Sequence, residues 1–311
     1  MSLKLTDIKC RVNSDFEIDI PFLEVKSNET LGILGASGSG KSSLLNIIVG
    51  FSEHTGEIKL NNINIQDFPV SDRKLAYIIQ EPSLFESKPI GDNITFSSTQ
   101  LEKKEKVKLF NSLCDKVGLN KDYNQTIKSL SGGEKQRVNI ARSLASQPSF
   151  FMFDEAFNQL DNHTKIELHQ KLKNILKQGN LGAVIVSHDL NDLKQNCDRI
   201  AIIEKGKIIQ TGSFEEIYKT PCNEYTANIT GRWNKVNGSI IDESNTTIGI
   251  RPERIKLDSG SFQARIIDKT FGGPFYEYNV KYESEELLIY SSIDKQLGDK
   301  VLFTIEEYFT L

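Results

Sequence analysis

The sequence predicts an α/β domain built on a parallel sheet, followed by a small all-β unit. Three observations carry this reading. Four short runs that are apolar on both faces punctuate the first two thirds of the chain, as buried parallel strands do. Helical patterns separate those runs. After about residue 228 the pattern turns into strict apolar–polar alternation, which marks half-buried antiparallel strands.

The elements follow in order. Leu31-Gly32-Ile33-Leu34 is the first apolar run, and residues 41–49 behind it read as a helix. Residues 75–79 are the second run. Residues 101–117 are lysine-rich, with Val107, Phe110 and Leu113 at helical spacing. Residues 150–153 are the third run. Residues 162–177, with apolar Ile166, Leu168, Leu172, Ile175 and Leu176, read as another helix. Residues 183–186 are the fourth run. Residues 199–203 and 207–211 flank Glu204-Lys205-Gly206, which reads as a hairpin. In the tail, Tyr276, Tyr278, Val280 and Tyr282 alternate with polar residues, as do Val301, Phe303 and Ile305. Gly272-Gly273-Pro274 and Gly298-Asp299 supply turns. The polar stretch 231–238 reads as a linker, which sets two domains at 1–228 and 229–311.

Composition narrows the function. Lys and Arg number 38 against 42 Asp and Glu, a formal charge of −4, so a wholesale basic coat for nucleic acid is excluded. No apolar run approaches the roughly 18 residues that a membrane span needs. The opening Met1-Ser2-Leu3-Lys4 alternates instead of starting a secretory leader. Cys10, Cys114, Cys197 and Cys222 form no C-x-x-C pair and read as free thiols of a reducing compartment.

Three motifs carry chemistry. Gly35, Ala36, Ser37, Gly38, Ser39, Gly40, Lys41 and Ser42 match G-x-x-x-x-G-K-[ST], with Ser43 next in the same site. The glycines let backbone N–H groups turn onto phosphate oxygens, and the following helix aims its positive end at the same anion. Lys41 adds a point charge near the β- and γ-phosphates, and the Ser42 hydroxyl is a hard ligand for Mg²⁺. Phe150-Phe151-Met152-Phe153-Asp154-Glu155 is an apolar strand ending in two acids. Asp154 suits the water shell of Mg²⁺. Glu155, facing the other way in a strand, is the candidate general base. Leu130-Ser131-Gly132-Gly133-Glu134 is a second anion site: Ser131 caps a helix beginning near Glu134, and Gly132 and Gly133 let amides approach a phosphate.

Together these residues resemble the ATP-binding subunit of an ABC transporter. The resemblance implies a P-loop NTPase fold with a RecA-like core and a helical subdomain. Gln80 stands where that family has its Q-loop glutamine, His188 where it has its switch histidine, and Asn158-Gln159-Leu160-Asp161 looks like its D-loop, ending on Asp161. Ile248-Gly249-Ile250-Arg251-Pro252-Glu253 resembles the tail of the importer branch that serves sugar, polyamine, ferric iron, sulfate and molybdate. It implies an OB-like, TOBE-type β unit, shorter here than in sugar-type subunits. No basic–aromatic patch accompanies it, so nucleic acid is not an expected partner.

The resemblance further implies a head-to-tail homodimer with two ATP molecules. Ser131, Gly132 and Gly133 of one subunit then complete the cage opened by Gly35 to Ser42 of the other, and Asp161 joins the nucleotide contacts. Glu155 polarises the attacking water, His188 holds water and base in position, and Gln80 binds Mg²⁺ or that water. Leu84 and Phe85 line a groove for a permease subunit. Integral membrane permeases are direct partners and an extracytoplasmic solute-binding protein an indirect one, with the chain peripheral on the cytoplasmic face of the cell membrane. An exporter ATPase is the alternative; a nucleotide kinase or GTPase would have no use for Leu130 to Arg137. One departure concerns adenine. Related subunits usually stack an aromatic ring on it, but Val12 falls near that position, and Phe16 is the nearest aromatic.

Overall fold

The computed structural model describes residues 2–241 and 246–311; Met1, where the alternating opening begins, lies outside them. The fold is the predicted one, a P-loop α/β sheet with a β-rich tail, and its contacts form two compact units, Met1–Thr211 and Gly212–Leu311.

In the first unit, the four apolar runs become the strands Thr30–Leu34, Leu75–Ile79, Phe150–Asp154 and Gly182–Val186. They join Arg199–Glu204 in one parallel array, with Lys207–Gly212 beyond it at one border and Leu75–Ile79 at the other. Three of the four runs are buried nearly throughout, as predicted. Leu75–Ile79 alternates buried with more open positions instead, because the border strand has one face less covered. The hairpin holds, with Lys205 (φ 46°) and Gly206 (φ 79°) both left-handed, as a two-residue primed turn requires. Glu204 belongs to the strand. A Cβ on Gly206 would fall 1.9 Å from the Glu17 carbonyl oxygen, so the position admits only glycine.

A second, antiparallel sheet was not marked by the sequence pattern: Glu17–Lys26, Ser2–Arg11, Thr55–Leu60 and Ile63–Asn64, in that order. The helix Lys41–Val49 packs in one core cluster with residues of both sheets; its Leu44, Leu45, Ile47 and Ile48 are completely buried. The other predicted helices are Lys103–Val117, capped by a reciprocal Glu102/Glu105 box, and Asn162–Gly179, capped by Asp161.

The second unit contains a three-stranded sheet and a four-stranded sheet around a separate apolar core that includes Ile250, Tyr278, Val280, Ile289 and Phe303. Two expectations are corrected here. The stretch 231–238 is no linker: Asn234–Asn237 is a strand. Asn234 is buried, its side chain accepting from the Leu288 amide (2.7 Å) and donating to the Leu288 carbonyl (2.9 Å). Polar residues read as linker there because their partners are backbone groups far along the chain. The division between the units also falls ahead of residue 228. The helices Phe214–Lys219 and Glu224–Thr230 belong to the second unit, and Arg251 shows why. Its buried guanidinium donates to the carbonyls of Tyr218 (2.9 Å), Ala227 (3.1 Å), Gly231 (3.1 Å) and Arg232 (3.2 Å) and to the Thr230 hydroxyl (2.9 Å). One side chain thus satisfies carbonyls at the ends of two helices. The guanidinium also lies 3.9 Å from the centre of the Tyr218 ring. Burial lowers its pKa from the ordinary arginine value.

Arg251→Met should therefore lower the stability of the second unit by about 3 kcal/mol or more, since the carbonyls lose a charged donor while staying buried. Trp233, the one tryptophan in the sequence, packs 5.7 Å from Phe309, so a urea melt followed by its fluorescence reads this loss directly.

Candidate active site

Parallel strands present ligands at their carboxyl ends, most of all where the strand order reverses. Thr30–Leu34 lies between Gly182–Val186 and Arg199–Glu204, and the chain leaves it directly into Gly35. Asp154 ends its strand, and Gln80, Glu155 and His188 follow the carboxyl ends of this strand and its two neighbours, so the topology gathers residues that sequence alone could only order.

The loop wraps tightly. A Cβ on Gly35 would lie 2.6 Å from the Ile203 carbonyl oxygen, and Gly40 adopts φ 105°. The hairpin amide of Gly206 donates to the Ser39 carbonyl (3.0 Å) and holds the loop from behind. Buried Lys41 donates through Nζ to the carbonyls of Gly35 (2.8 Å) and Ala36 (2.9 Å). Burial pulls its pKa below the usual lysine range, against the opposing pull of the Glu155 and Asp154 carboxylates. A pocket of about 480 Å³ opens over the loop, lined by Ser37, Gly38, Gly40, Lys41, Ser42, Ser43 and Glu155, with Val12, Asn13 and Phe16 along its remaining wall.

Asp154 and Ser42 meet beneath this pocket: the Ser42 hydroxyl donates to Asp154 Oδ1 at 2.9 Å. Tyr77 donates to the other oxygen at 3.0 Å, and its hydroxyl also reaches Asn46 Oδ1 at 3.1 Å. Burial first, and then the Asp154 charge, raise the Tyr77 pKa, so it remains a donor. Sequence reasoning missed Tyr77 because it sits inside an apolar run that reads as core. Two hard oxygens side by side suit Mg²⁺, which keeps waters and substrate phosphates in its octahedron and needs few protein ligands. Among the described residues no cluster of three His, Cys, Asp or Glu side chains competes as a metal centre.

Glu155 requires a correction. It does not alternate with Asp154 along a strand, since the strand ends at Asp154 and Glu155 takes a left-handed backbone, φ 50°. Its amide donates to the Val186 carbonyl of the next strand (3.0 Å), and this sharp turn aims the side chain into the pocket wall. Asn158 donates to Glu155 Oε2 at 2.8 Å, and His188 Nδ1 lies 3.5 Å from the same oxygen.

The remaining predicted residues lie outside this lining. Gln80 is exposed just past its strand. Ser131 caps the helix Gly132–Ala145 in a reciprocal box with Glu134, so the helix begins at Gly132 and Glu134 sits in its first turn. Lys121 (2.8 Å) and the Ser131 amide hold the Glu134 carboxyl below the ordinary range. The space beside Gly132 is open, whereas Gly133 packs against Thr164. Asp161 accepts from the Thr164 amide (3.0 Å), the main cause of its lowered pKa. Phe85 packs against Phe96 in a tilted ring pair, centroids 4.6 Å apart.

Comparison with known proteins follows the same lines. Residues 20–158 match the ABC transporter family. The spermidine/putrescine import ATP-binding protein of Clostridium novyi is 32% identical over 309 residues, covering 90% of this chain and 88% of its own. Its counterpart in Clostridium acetobutylicum is 28% identical, covering 96% and 92%. Among solved structures, a dimeric ATP-binding cassette in a post-hydrolysis state with ADP and Pi superimposes with a TM-score of 0.61, at 26% identity over 68% of this chain and 98% of that one. The cbiO1 subunit of Clostridium perfringens, part of the cbiONQ complex, shares the fold, with a TM-score of 0.64 at 23% identity over 70% and 90%.

The pocket wall gives Phe16 and Val12 different surroundings. The Phe16 ring edge packs against Gly40 and the core, whereas Val12 is exposed on the wall. Phe16→Ala should lower the melting temperature and loosen the loop. Val12→Tyr should gain affinity for ATP, up to about the 1–3 kcal/mol that base–aromatic stacking supplies elsewhere. Calorimetric titration with ATP, alongside a melt of each variant, separates the two effects.

Proposed function

We infer that this chain, which belongs to the ABC transporter family of ATP-binding subunits, is the ATP-hydrolysing subunit of an importer. It works in a homodimer on the cytoplasmic face of the membrane and couples hydrolysis to uptake through separate permease subunits. The observation that carries the enzymatic reading is the Ser42–Asp154 contact under a pocket lined by Lys41 and Glu155. The importer reading draws on both polyamine-import relatives and on the β-rich tail; a simple exporter ATPase would not call for that tail. The relatives also favour a small organic cation as cargo, delivered to the permease by an external solute-binding protein. No helix among the described residues is long and apolar enough to cross a membrane, in keeping with the use of partner subunits.

Each residue has a task. Backbone amides from Gly38 to Ser43 and the Lys41 ammonium bind the ATP phosphates. Ser42 and Asp154 would hold Mg²⁺, with Gln80 reaching it or the attacking water as the site closes. When bound, the ion supplies charge neutralisation on the β- and γ-phosphates. Glu155 takes the proton of the attacking water, and His188 orients water and base. Ser131, Gly132 and Gly133 contact the γ-phosphate of the nucleotide on the facing subunit, close to Asp161. Closure then depends on that phosphate, and its loss releases the pair. The exposed Phe85–Phe96 ring pair and Leu84 form the surface offered to the permease.

Glu155→Gln should retain ATP binding and lose turnover by about 10²- to 10⁴-fold, leaving an ATP-held dimer on gel filtration. Near-normal phosphate release would remove Glu155 from its role. Ser131→Arg should block hydrolysis while isolated subunits still bind ATP. Mixing it with Lys41→Ala subunits should restore one composite site per heterodimer. A monomer of Ser131→Arg unable to bind ATP would contradict action across the dimer.

A further inference from the structure

We propose that Asn158 is a positioning residue for hydrolysis: its amide fixes one oxygen of Glu155 and reserves the other for the attacking water. This rests on Glu155 being the base. Asn158 Nδ2 donates to Glu155 Oε2 at 2.8 Å and lies 3.4 Å from His188 Nδ1. His188 Nδ1 is 3.5 Å from that same oxygen. Both contacts therefore converge on Oε2, and neither engages Oε1.

The local backbone makes the clamp short and stiff. The Asn158 amide donates to the Glu155 carbonyl at 3.3 Å, closing a turn that starts at the left-handed Glu155. A glutamate side chain has three torsions, and an untethered carboxylate would spread over many orientations on the pocket wall. A neutral amide orients it without bringing a counter-charge, which an ammonium or guanidinium would add. In the step served, the water oxygen bonds to the γ-phosphorus. The bond from that phosphorus to the β–γ bridging oxygen breaks, its electron pair leaving with ADP. The water's proton passes to Oε1. Misplacing the base at this moment costs rate and leaves ATP binding alone.

The test compares steady-state hydrolysis, ATP affinity and melting temperature of the full chain with those of Asn158→Ala, Asn158→Asp, Glu155→Gln and the Glu155→Gln/Asn158→Ala double variant. Asn158→Asp keeps the side chain's shape and its capacity to form the turn, but cannot donate to a carboxylate. Both Asn158 variants should lose about tenfold to a hundredfold in kcat. Their KM for ATP should stay within about twofold, and their melting temperatures should be close to the parent's. The double variant should be no slower than Glu155→Gln alone. Normal turnover in Asn158→Asp would overturn the proposal, since that change removes the donor and sets a second carboxylate against Glu155. So would an equal further loss in the double variant, since Asn158 would then act independently of Glu155. Should Glu155→Gln itself turn over normally, the base assignment fails and takes the proposal with it, a result distinct from failure of the Asn158 variants alone.

Discussion

The hydrogen bond from Ser42 to Asp154, 2.9 Å long and spanning 112 positions of sequence, is the constraint around which the first unit is organised. To bring these oxygens together, the helix carrying Ser42 must lie against the sheet, and the strand ending in Asp154 must stand near the one that feeds the phosphate loop. The parallel order satisfies both demands. The helix lies in a core shared with the antiparallel sheet, and Tyr77 and Asn46 brace the contact from the neighbouring strand and the helix itself. Glu155 then needs only one left-handed residue to leave the strand and enter the pocket wall.

Much of this was legible in sequence, because the phosphate-binding chemistry demands residues at fixed spacing. The loop, the two acids and the capped signature helix each announce themselves locally. What was hidden has physical reasons. The antiparallel sheet escaped notice because its alternation breaks phase: Leu3 and Leu5 face the core from odd positions, Ile8 and Cys10 from even ones, across an irregularity between Thr6 and Lys9. Glu155 was expected to be aimed by strand alternation and is aimed by backbone torsion instead, which no side-chain pattern records. Tyr77 was invisible because an aromatic residue in an apolar run is ordinarily core.

The second unit teaches the same lesson from the opposite side. Arg251 stands out as part of a motif, yet its chemistry is structural: it collects carbonyls of residues 218 to 232 and draws two helices into the β-rich unit. Asn234 does comparable work for Leu288. Polar residues that look like a connector are often those with the most distant backbone partners, and composition alone cannot tell the two apart.

The strand order also sets a timetable for synthesis. Thr30–Leu34, which feeds the phosphate loop, is made early, but its two neighbours, Gly182–Val186 and Arg199–Glu204, are among the last parts of the first unit to be made. Until then the nascent chain carries a finished phosphate loop on a strand whose edges are both unpaired. The Gly206 amide that holds the loop from behind arrives later still. Such long-range parallel pairing folds slowly and leaves unpaired edges open to wrong partners. The earliest motif to be translated is therefore among the last to become functional, and a chain cut short before residue 206 would keep the motif but lack its support.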